Sequence, residues 1–318
     1  MPRRPLPDDL AGSAFTTGAA RALGIERGRL RGRDLVHPHH GIHIDAASAA
    51  DADIVSRCER LIPALGPDDW FSHRTAARIW GIPVEPAYSA VEGLHVMTVG
   101  RRYPVRHSGI IGRVTADDAL PREMWGTLPV VSPAAVWSQL AQRGAVTGGE
   151  LIAFDWLVAA ADYALTGKRG ADGVRQPALC TPEDLRAEIV RLGTGRGTAM
   201  LRAALDCARF PVDSPYETLV RRGLVAEGLP EPHVQVPVVT SEGLRHADVG
   251  YPAERLLIEY QGDAHRASRR RWLSDLRRVQ LLQEAGYDVL LIGYDDVVPD
   301  CKALASRVRR ALQRQTAR

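Results

Sequence analysis

Apolar and polar positions alternate in two short runs near the C-terminal end of the chain. Residues 245–251 and 256–261 each have the pattern of a strand, and the four residues between them, PAER, have turn chemistry. The pattern therefore predicts a β-hairpin. Pairing Tyr251 with Leu256 fixes the register, because each later residue of one run then faces a defined residue of the other.

In this register two carboxylates lie opposite each other. Asp248 faces Glu259 and His246 faces Gln261, and the two-residue period of a strand places all four side chains on one face. Opposed carboxylates repel, and the apolar run before Glu259 predicts a buried strand. A divalent cation would cancel this repulsion, and carboxylate oxygens are ligands that Mg²⁺ prefers. The hairpin therefore predicts a magnesium site at Asp248 and Glu259, where Mn²⁺ would substitute.

An ion pair is the alternative explanation of the two carboxylates. Acidic residues are depleted in strands, and a buried carboxylate needs a partner. Arg245 and Arg255 lie close in sequence and would serve as that partner. This alternative gives Asp248 and Glu259 a structural role.

The segments around the hairpin predict an α/β domain. Ser214 to Glu217 has the form of a capping box, with serine at the N-cap, proline at the first helical position and glutamate at the third. Later apolar stripes predict a helix over 268–285, a buried strand over 287–294 and a helix over 300–313. The predicted core stripes of the two helices are Trp272, Leu276, Val279 and Leu282, then Leu304, Val308 and Leu312.

The first fifty residues predict a small winged helix. A threonine N-cap precedes GAARAL, Gly24 ends that helix, and a second helix over 26–34 follows with Leu30 as its inward residue. Residues 35–36 and 41–44 then form a two-stranded wing. Histidines crowd this wing at positions 37, 39, 40 and 43, and either a zinc site or ordinary loop histidines would explain them.

The middle of the chain carries folding signals and little chemistry. Helices are predicted from Ser72 to Gly81, from Ser132 onward, over 150–165 and from Thr181 onward, with strands over 94–99 and 108–114. The glycine-rich stretch 167–178 predicts a loop.

Composition adds limits on the class of protein. The chain has 318 residues, 45% of them hydrophobic and 25% charged, with a formal net charge of +3. This composition predicts folded domains and excludes wholesale disorder. Four cysteines without a CxxC pair, and no signal-peptide-like or membrane-spanning segment, predict a cytoplasmic protein that does not associate with membranes.

The C-terminal motifs resemble a known nuclease family. Asp248, followed by the strand segment EYQG at 259–262, is similar to the PD-(D/E)XK nuclease core in its variant with glutamine at the lysine position. Together with the capping box, His265 and the segment DLRR at 275–278, it resembles the domain related to very-short-patch-repair endonucleases. Those relatives commonly have EYDG, so Gln261 departs from their pattern.

The resemblance implies a restriction-endonuclease-like αβ sandwich over 211–318 and metal-dependent hydrolysis of DNA. Asp248 and Glu259 would hold Mg²⁺, and Gln261 would orient the attacking water because an amide cannot act as a general base. Glu217 would support the metal shell, or would only cap its helix. His265 would contact the scissile phosphate, or would only cap the next helix.

Arginines are the predicted contacts to nucleic acid, because a guanidinium suits phosphate. In the nuclease-like and winged-helix segments they are Arg266, Arg269, Arg270, Arg278, Arg29, Arg31 and Arg33. Phosphate contacts do not distinguish the sugar, so RNA remains an alternative substrate. The structural explanation is a solvated charged surface.

The N-terminal half resembles the antitoxins of abortive-infection type IV toxin–antitoxin systems. The resemblance implies a winged-helix DNA-binding domain over 1–50 and a mixed α/β region over 51–210, ahead of the nuclease-like domain. The overall prediction is a mixed α/β protein that cleaves DNA in defence or repair, with a homodimer as a further expectation. The alternative prediction is a catalytically inactive DNA-binding regulator or antitoxin with a cognate toxin.

Overall fold

The computed structural model describes residues 5–49, 53–85, 88–101, 103–142, 152–167, 169, 174–262 and 269–316. The chain divides into two compact units, Met1–Ile152 with Ala187–Gly197 and Ala153–Arg186 with Thr198–Arg318. The described residues form three sheets with helices in both units, so the predicted mixed α/β class is confirmed.

The first unit begins with a small three-stranded sheet of order β1-β3-β2. Its elements are β1 (Phe15–Thr16), α1 (Thr17–Ala22), β2 (Leu35–Val36) and β3 (Ile42–Asp45). Thr16 caps α1 by accepting a hydrogen bond from the backbone N–H of Ala19, and β2 pairs with β3 as the wing prediction requires.

The helix predicted over 26–34 is wrong. Only a single 3₁₀ turn, Arg29–Arg31, forms there. Gly28 and Gly32 flank this turn, and glycine is a poor residue for a helix interior. The chain also folds tightly at Gly32, where an added Cβ would lie 2.4 Å from a carboxylate oxygen of Asp34.

A five-stranded sheet of order β6-β5-β4-β8-β7 follows in the first unit. Its strands are β4 (Asp69–Phe71), β5 (Leu94–Val99), β6 (Ile110–Thr115), β7 (Arg122–Trp125) and β8 (Leu128–Val131). The helices of this part are α2 (Ile54–Leu61), α3 (His73–Trp80) and α4 (Pro133–Leu140). The predictions of α3, α4 and β5 are confirmed, and β6 begins at Ile110, two residues later than predicted.

The second unit contains one four-stranded sheet of order β12-β11-β10-β9. Its strands are β9 (His233–Thr240), β10 (Gly243–Tyr251), β11 (Leu256–Tyr260) and β12 (Asp288–Ile292). Only the β11–β12 pair is parallel. The helices are α5 (Phe154–Thr166), α7 (Thr198–Asp206), α8 (Pro215–Ala226), α9 (Arg269–Glu284) and α10 (Lys302–Thr316), while α6 (Pro182–Leu192) crosses the boundary between the two residue ranges.

Helices pack on both faces of this sheet. On one face, Val220 of α8 and Leu304 of α10 join a core with Val249 and Ile258. On the other face, Leu282 of α9 packs in a smaller cluster that includes Leu257, Val236 and Ala247. The unit therefore has three layers, with α8 and α10 on one side of the sheet and α9 on the other.

A buried ion pair fixes α5 to α8 within this unit. Arg221 Nη2 lies 3.2 Å from Asp162 Oδ2, and both side chains are fully buried. The hydroxyl of Thr218 and the backbone N–H of Arg209 also donate to Asp162.

In the described parts of the chain, no helix is long and apolar enough to cross a membrane.

The face alternation of β9 and β10 is interrupted at one point. Ala247 packs with α9, whereas Val249, two residues later, packs with α8 and α10. In β9, Val236 and Val234 show the same change of side. Gln235, between these two valines, has a φ of +47°, in the left-handed region that side chains rarely adopt. At this interruption, next to Asp248, the side chains of β9 and β10 change the face of the sheet to which they point.

Candidate functional site

The predicted register of the hairpin is confirmed. Tyr251 pairs with Leu256 and Val249 with Ile258. Beyond these pairs, each predicted carboxylate accepts a hydrogen bond from a backbone N–H of the other strand. Glu259 Oε1 accepts from the backbone N–H of Asp248 at 3.1 Å, and Asp248 Oδ2 accepts from that of Tyr260 at 2.9 Å. The two carboxylates are thus held at the point where the strands separate.

The predicted position of His246 is wrong. Because Ala247 faces α9, its neighbour His246 faces the opposite side and is exposed. Leu257 also packs with α9, so alternation puts Glu259 and Gln261 on that side of β11. The interruption at Gln235 is the physical reason that simple alternation fails here.

Glu217 brings a third carboxylate to the pocket. Ser214 caps α8 by accepting from the backbone N–H of Glu217, as predicted. The carboxylate of Glu217 does not close the capping box on Ser214. Instead it accepts from the backbone N–H of Asp213 at 3.0 and 3.1 Å and from the side-chain amide of Gln235 at 2.8 Å. The strained residue of β9 therefore orients a buried carboxylate of α8.

Arg278 provides the positive charge beside the hairpin carboxylates. Its Nη2 lies 3.4 Å from Asp248 Oδ1 and 3.2 Å from Glu259 Oε2, and it donates to the carbonyl oxygen of His246 at 2.5 Å. The partners considered from sequence lie elsewhere. Arg245 is 3.8 Å from Glu242, and the guanidinium of Arg255 lies over the ring of Tyr287.

The position of Arg278 follows from the true inward face of α9. Leu281 and Leu282 are buried, but Leu276, predicted as core, is 40% exposed. Asp275 and Arg278, two turns and one turn before Leu282, line the pocket instead. Arg278, which was predicted to bind nucleic acid, therefore already contacts two carboxylates.

Carboxyl groups outnumber guanidinium groups at the site. Burial, reinforced by the nearby charge of Asp248, raises the pKa of both Glu217 and Glu259 to about 8. Burial also raises the pKa of Asp248, although the charge of Arg278 and the N–H of Tyr260 oppose the rise. Burial therefore favours a proton on Glu217 and Glu259 at neutral pH, despite the presence of Arg278.

These groups line one pocket of about 610 Å³. Its described lining residues are Arg169, Asp213, Ser214, Tyr216, Glu217, Asp248, Glu259, Tyr260, Gln261, Gly262, Asp275, Arg278 and Tyr294. The structure thus brings Glu217, Asp248, Glu259 and Gln261 together as the sequence predicted. His265 and Arg266 lie outside the described residues, as do the side chains of Arg269 and Arg270.

Three tyrosines form one wall of the pocket. The rings of Tyr216 and Tyr260 stack with centroids 4.5 Å apart, and the ring of Tyr294 meets that of Tyr216 edge-on at 6.1 Å. Tyr294 is 45% exposed. No role for these tyrosines, for Gln235 or for Asp275 was predicted from the sequence. The helical spacing that places Asp275 on the same face as Arg278 and Leu282 is the signal that could have found Asp275.

The N-terminal arginines and histidines do not form such a site. Arg29 pairs with Asp34 at 2.7 Å, while Arg31 and Arg33 are exposed. His43 contacts His37 at 2.9 Å and the hydroxyl of Thr17 at 2.8 Å. The predicted nucleic-acid contacts of Arg31 and Arg33 stay a prediction. His37 and His43 bond each other, and His39 bonds the carbonyl oxygen of Ser108 at 3.0 Å.

The oxygens of the pocket determine whether a divalent cation would fit there. In the described ranges, no group of three or more histidine, cysteine, aspartate or glutamate side chains is arranged to hold a metal ion. Asp248 Oδ1, Glu259 Oε2 and the carbonyl oxygen of His246 nevertheless converge on one cationic nitrogen, Nη2 of Arg278. Hard oxygens directed at one positive charge fit Mg²⁺ or Mn²⁺ chemically, with Asp248 and Glu259 as the side-chain ligands.

Comparisons with known proteins give relatives of one segment. No family model and no solved structure matches the chain. Two uncharacterized proteins of Mycobacterium tuberculosis, MT2308 and Rv2248, are each 28% identical to it over 144 residues. Each match covers 45% of this chain and 53% of the relative, so the chain spans about half the length of the curated relatives it matches.

Proposed function

We propose that the protein is a metal-dependent endonuclease that hydrolyses phosphodiester bonds of DNA. The observation that carries this proposal is the convergence of Glu217, Asp248 and Glu259 from three elements on one pocket. Burial favours a proton on Glu217 and Glu259, as their raised pKa values indicate, and a divalent cation would replace that proton. A hard divalent cation is the ligand that such a set of carboxylates favours.

Each residue has a defined part in the proposed reaction. Asp248 and Glu259 would hold Mg²⁺ or Mn²⁺, which polarises the phosphate and makes a bound water more acidic. Gln261, directly after the end of β11, would orient the attacking water through its amide. Glu217 would accept a hydrogen bond from that water while Gln235 fixes its carboxylate. The three-layer unit with its acidic hairpin supports a PD-(D/E)XK-like assignment.

DNA is the proposed partner of both units. In the first unit, Arg31 and Arg33 are exposed beside the confirmed wing strands, which suits contact with phosphate. In the second unit, Arg169 and Arg278 lie in the lining of the carboxylate pocket. These contacts would position either DNA or RNA, so the sugar preference belongs to the test.

A second candidate is supported by Arg278 itself. Its guanidinium already binds both hairpin carboxylates, and Gln261 stands where the resembled family commonly has a carboxylate. These features suit a DNA-binding regulator or antitoxin in which a nuclease fold has lost turnover and keeps an internal ion pair. A cognate toxin would be its partner.

The test is cleavage of plasmid, linear duplex, single-stranded DNA and RNA with Mg²⁺ or Mn²⁺. Asp248→Asn and Glu259→Gln should lower cleavage at least about 100-fold, the order of magnitude expected when a metal ligand is altered. Both variants should keep most of their affinity for oligonucleotide. Glu242→Gln is the matched control, because Glu242 bonds exposed Arg277 and does not line the pocket.

Two results would contradict the nuclease. One is cleavage that persists in both variants, because the carboxylates would then not take part. The other is loss of oligonucleotide binding in both variants with the fold retained, because the carboxylates would then serve binding. Sequence-specific binding to DNA without cleavage of any substrate would favour the regulator.

A further inference from the structure

One nitrogen of Arg278 stands at the point where the proposed function requires a divalent cation. Its Nη2 contacts Asp248 Oδ1 at 3.4 Å, Glu259 Oε2 at 3.2 Å and the carbonyl oxygen of His246 at 2.5 Å. We propose that Arg278 is an internal counter-ion that the divalent cation displaces, and that the displaced guanidinium binds a phosphate of the nucleic acid. This inference rests on the proposed function and adds a coupling between its two ligands.

The two positive charges exclude each other from this point. A Mg²⁺ ion bound by the same oxygens lies about 2.1 Å from each of them. Nη2 is itself within 3.4 Å of the two carboxylate oxygens, so ion and guanidinium would overlap or repel strongly beside these buried carboxylates. Binding of the cation at Asp248 and Glu259 therefore requires Arg278 to move.

Arg278 has a route by which to leave. Its side chain is 37% exposed although both carboxylate partners are more deeply buried. It extends from α9 into the pocket lining, which also includes Arg169 and Tyr294. A rotation of the long side chain toward solvent would keep the guanidinium beside the pocket, where a phosphate must approach Asp248 and Glu259. Its planar set of donors then suits a phosphate group.

The exchange makes the two ligands help each other. A cation that takes the carboxylates frees Arg278 for phosphate, and a phosphate that takes Arg278 leaves the carboxylates with uncompensated charge. By linkage, the factor by which the cation strengthens nucleic-acid binding equals the factor by which nucleic acid strengthens cation binding. Without nucleic acid, Arg278 weakens the binding of a lone cation.

Direct binding of Mn²⁺, measured by calorimetry, tests the exchange without any need for cleavage. Arg278→Gln should bind Mn²⁺ at least about ten-fold more tightly than wild type, because a competing charge is removed. Arg278→Lys, which keeps the charge, should remain within a few-fold of wild type. Asp248→Asn should lose binding.

Arg277→Gln is the matched control for the loss of one positive charge. Arg277 neighbours Arg278 on α9 but bonds exposed Glu242 and Glu284. Its variant should bind Mn²⁺ like wild type. Circular dichroism of each variant verifies the fold, and Arg278→Met replaces Arg278→Gln if the glutamine variant unfolds.

Fluorescence anisotropy of a labelled DNA oligonucleotide, with and without Ca²⁺, then measures the coupling. Ca²⁺ should strengthen binding by wild type and by Arg277→Gln, and this gain should disappear in Arg278→Gln. Equal Mn²⁺ affinity in wild type and both glutamine variants would overturn the exchange while leaving the cation site standing. Absence of Mn²⁺ binding in every variant would overturn the cation site itself and the exchange with it.

Discussion

Replacement of Glu259 by glutamine should make stability less sensitive to pH in the absence of divalent cations. Burial and the charge of Asp248 raise the pKa of Glu259 from 4.5 to about 8. Between these values the folded protein holds a proton that the unfolded chain has released, so the free energy of unfolding falls as pH rises from 4.5 through 8. Glutamine cannot titrate, and its variant escapes this loss.

The magnitude of the effect is set by the change in pKa. A rise from 4.5 to about 8 separates the two protonation states by about 5 kcal/mol, at ~1.4 kcal/mol per pH unit. Asp248 interacts electrostatically with both Glu217 and Glu259, so the three carboxyl groups titrate together and Glu259 alone does not account for the full change. We therefore expect the free energy of unfolding of the variant, relative to wild type, to rise by ~2 kcal/mol on going from pH 5 to pH 8. Contacts to Arg278 that are lost in the variant affect both pH values and largely cancel.

Urea denaturation at several pH values between 5 and 8, with chelator present, measures this difference. Glu183→Gln serves as the control, because the side chain of Glu183 is 74% exposed. Its unfolding curve should follow that of wild type at every pH. A difference between Glu259→Gln and wild type that stays constant across this range would refute the reasoning. It would mean that Glu259 is ionised throughout this range and that the charge of Arg278 outweighs the effect of burial.

Three further predictions concern the framework of the fold, each measured as a free energy of unfolding in urea. Asp162→Ala removes the buried carboxylate partner of Arg221, leaves only the half-exposed Glu231 to pair with it, and should cost about 3 kcal/mol; a cost below about 1 kcal/mol would show that the pair is dispensable. Gly223→Ala places a Cβ 2.2 Å from the Cys301 sulfur and should cost about 1–3 kcal/mol, whereas an unchanged stability would mean that α8 and Cys301 separate easily. Thr16→Ala removes the cap of α1 and should cost ~1 kcal/mol, with Thr16→Ser as a substitution that retains stability if the cap is responsible.

The hairpin could be predicted from sequence because local rules determine it. Turn chemistry at PAER and strand patterns on both sides fixed the pairing of Tyr251 with Leu256, and Asp248 and Glu259 then came together. The fold of α9 was less accessible. Its inward face contains Asp275 and Arg278, and a rule that turns apolar residues inward selects Leu276, which the structure exposes.

Features that depend on distant parts of the chain could not be predicted. The left-handed backbone at Gln235 exists because its amide reaches Glu217 on α8, eighteen residues earlier in the chain. At Gln235 a tertiary contact outweighs local preference. The failure at 26–34 is local: the pattern predicts a helix with Leu30 as its inward residue, but Gly28 and Gly32 flank it and only the turn Arg29–Arg31 forms.

The change of face in β10 beside Asp248 makes this residue a hinge point of the pocket. One half of β10 is anchored to the layer of α9 through Ala247, and the other half to the layer of α8 and α10 through Val249. A tilt of either layer rotates its own half of the strand about the residue between them. Asp248 is that residue, so its carboxylate would be displaced least when one layer moves. Asp248 would thus keep its position, whereas Glu217 would move with α8 and Arg278 with α9.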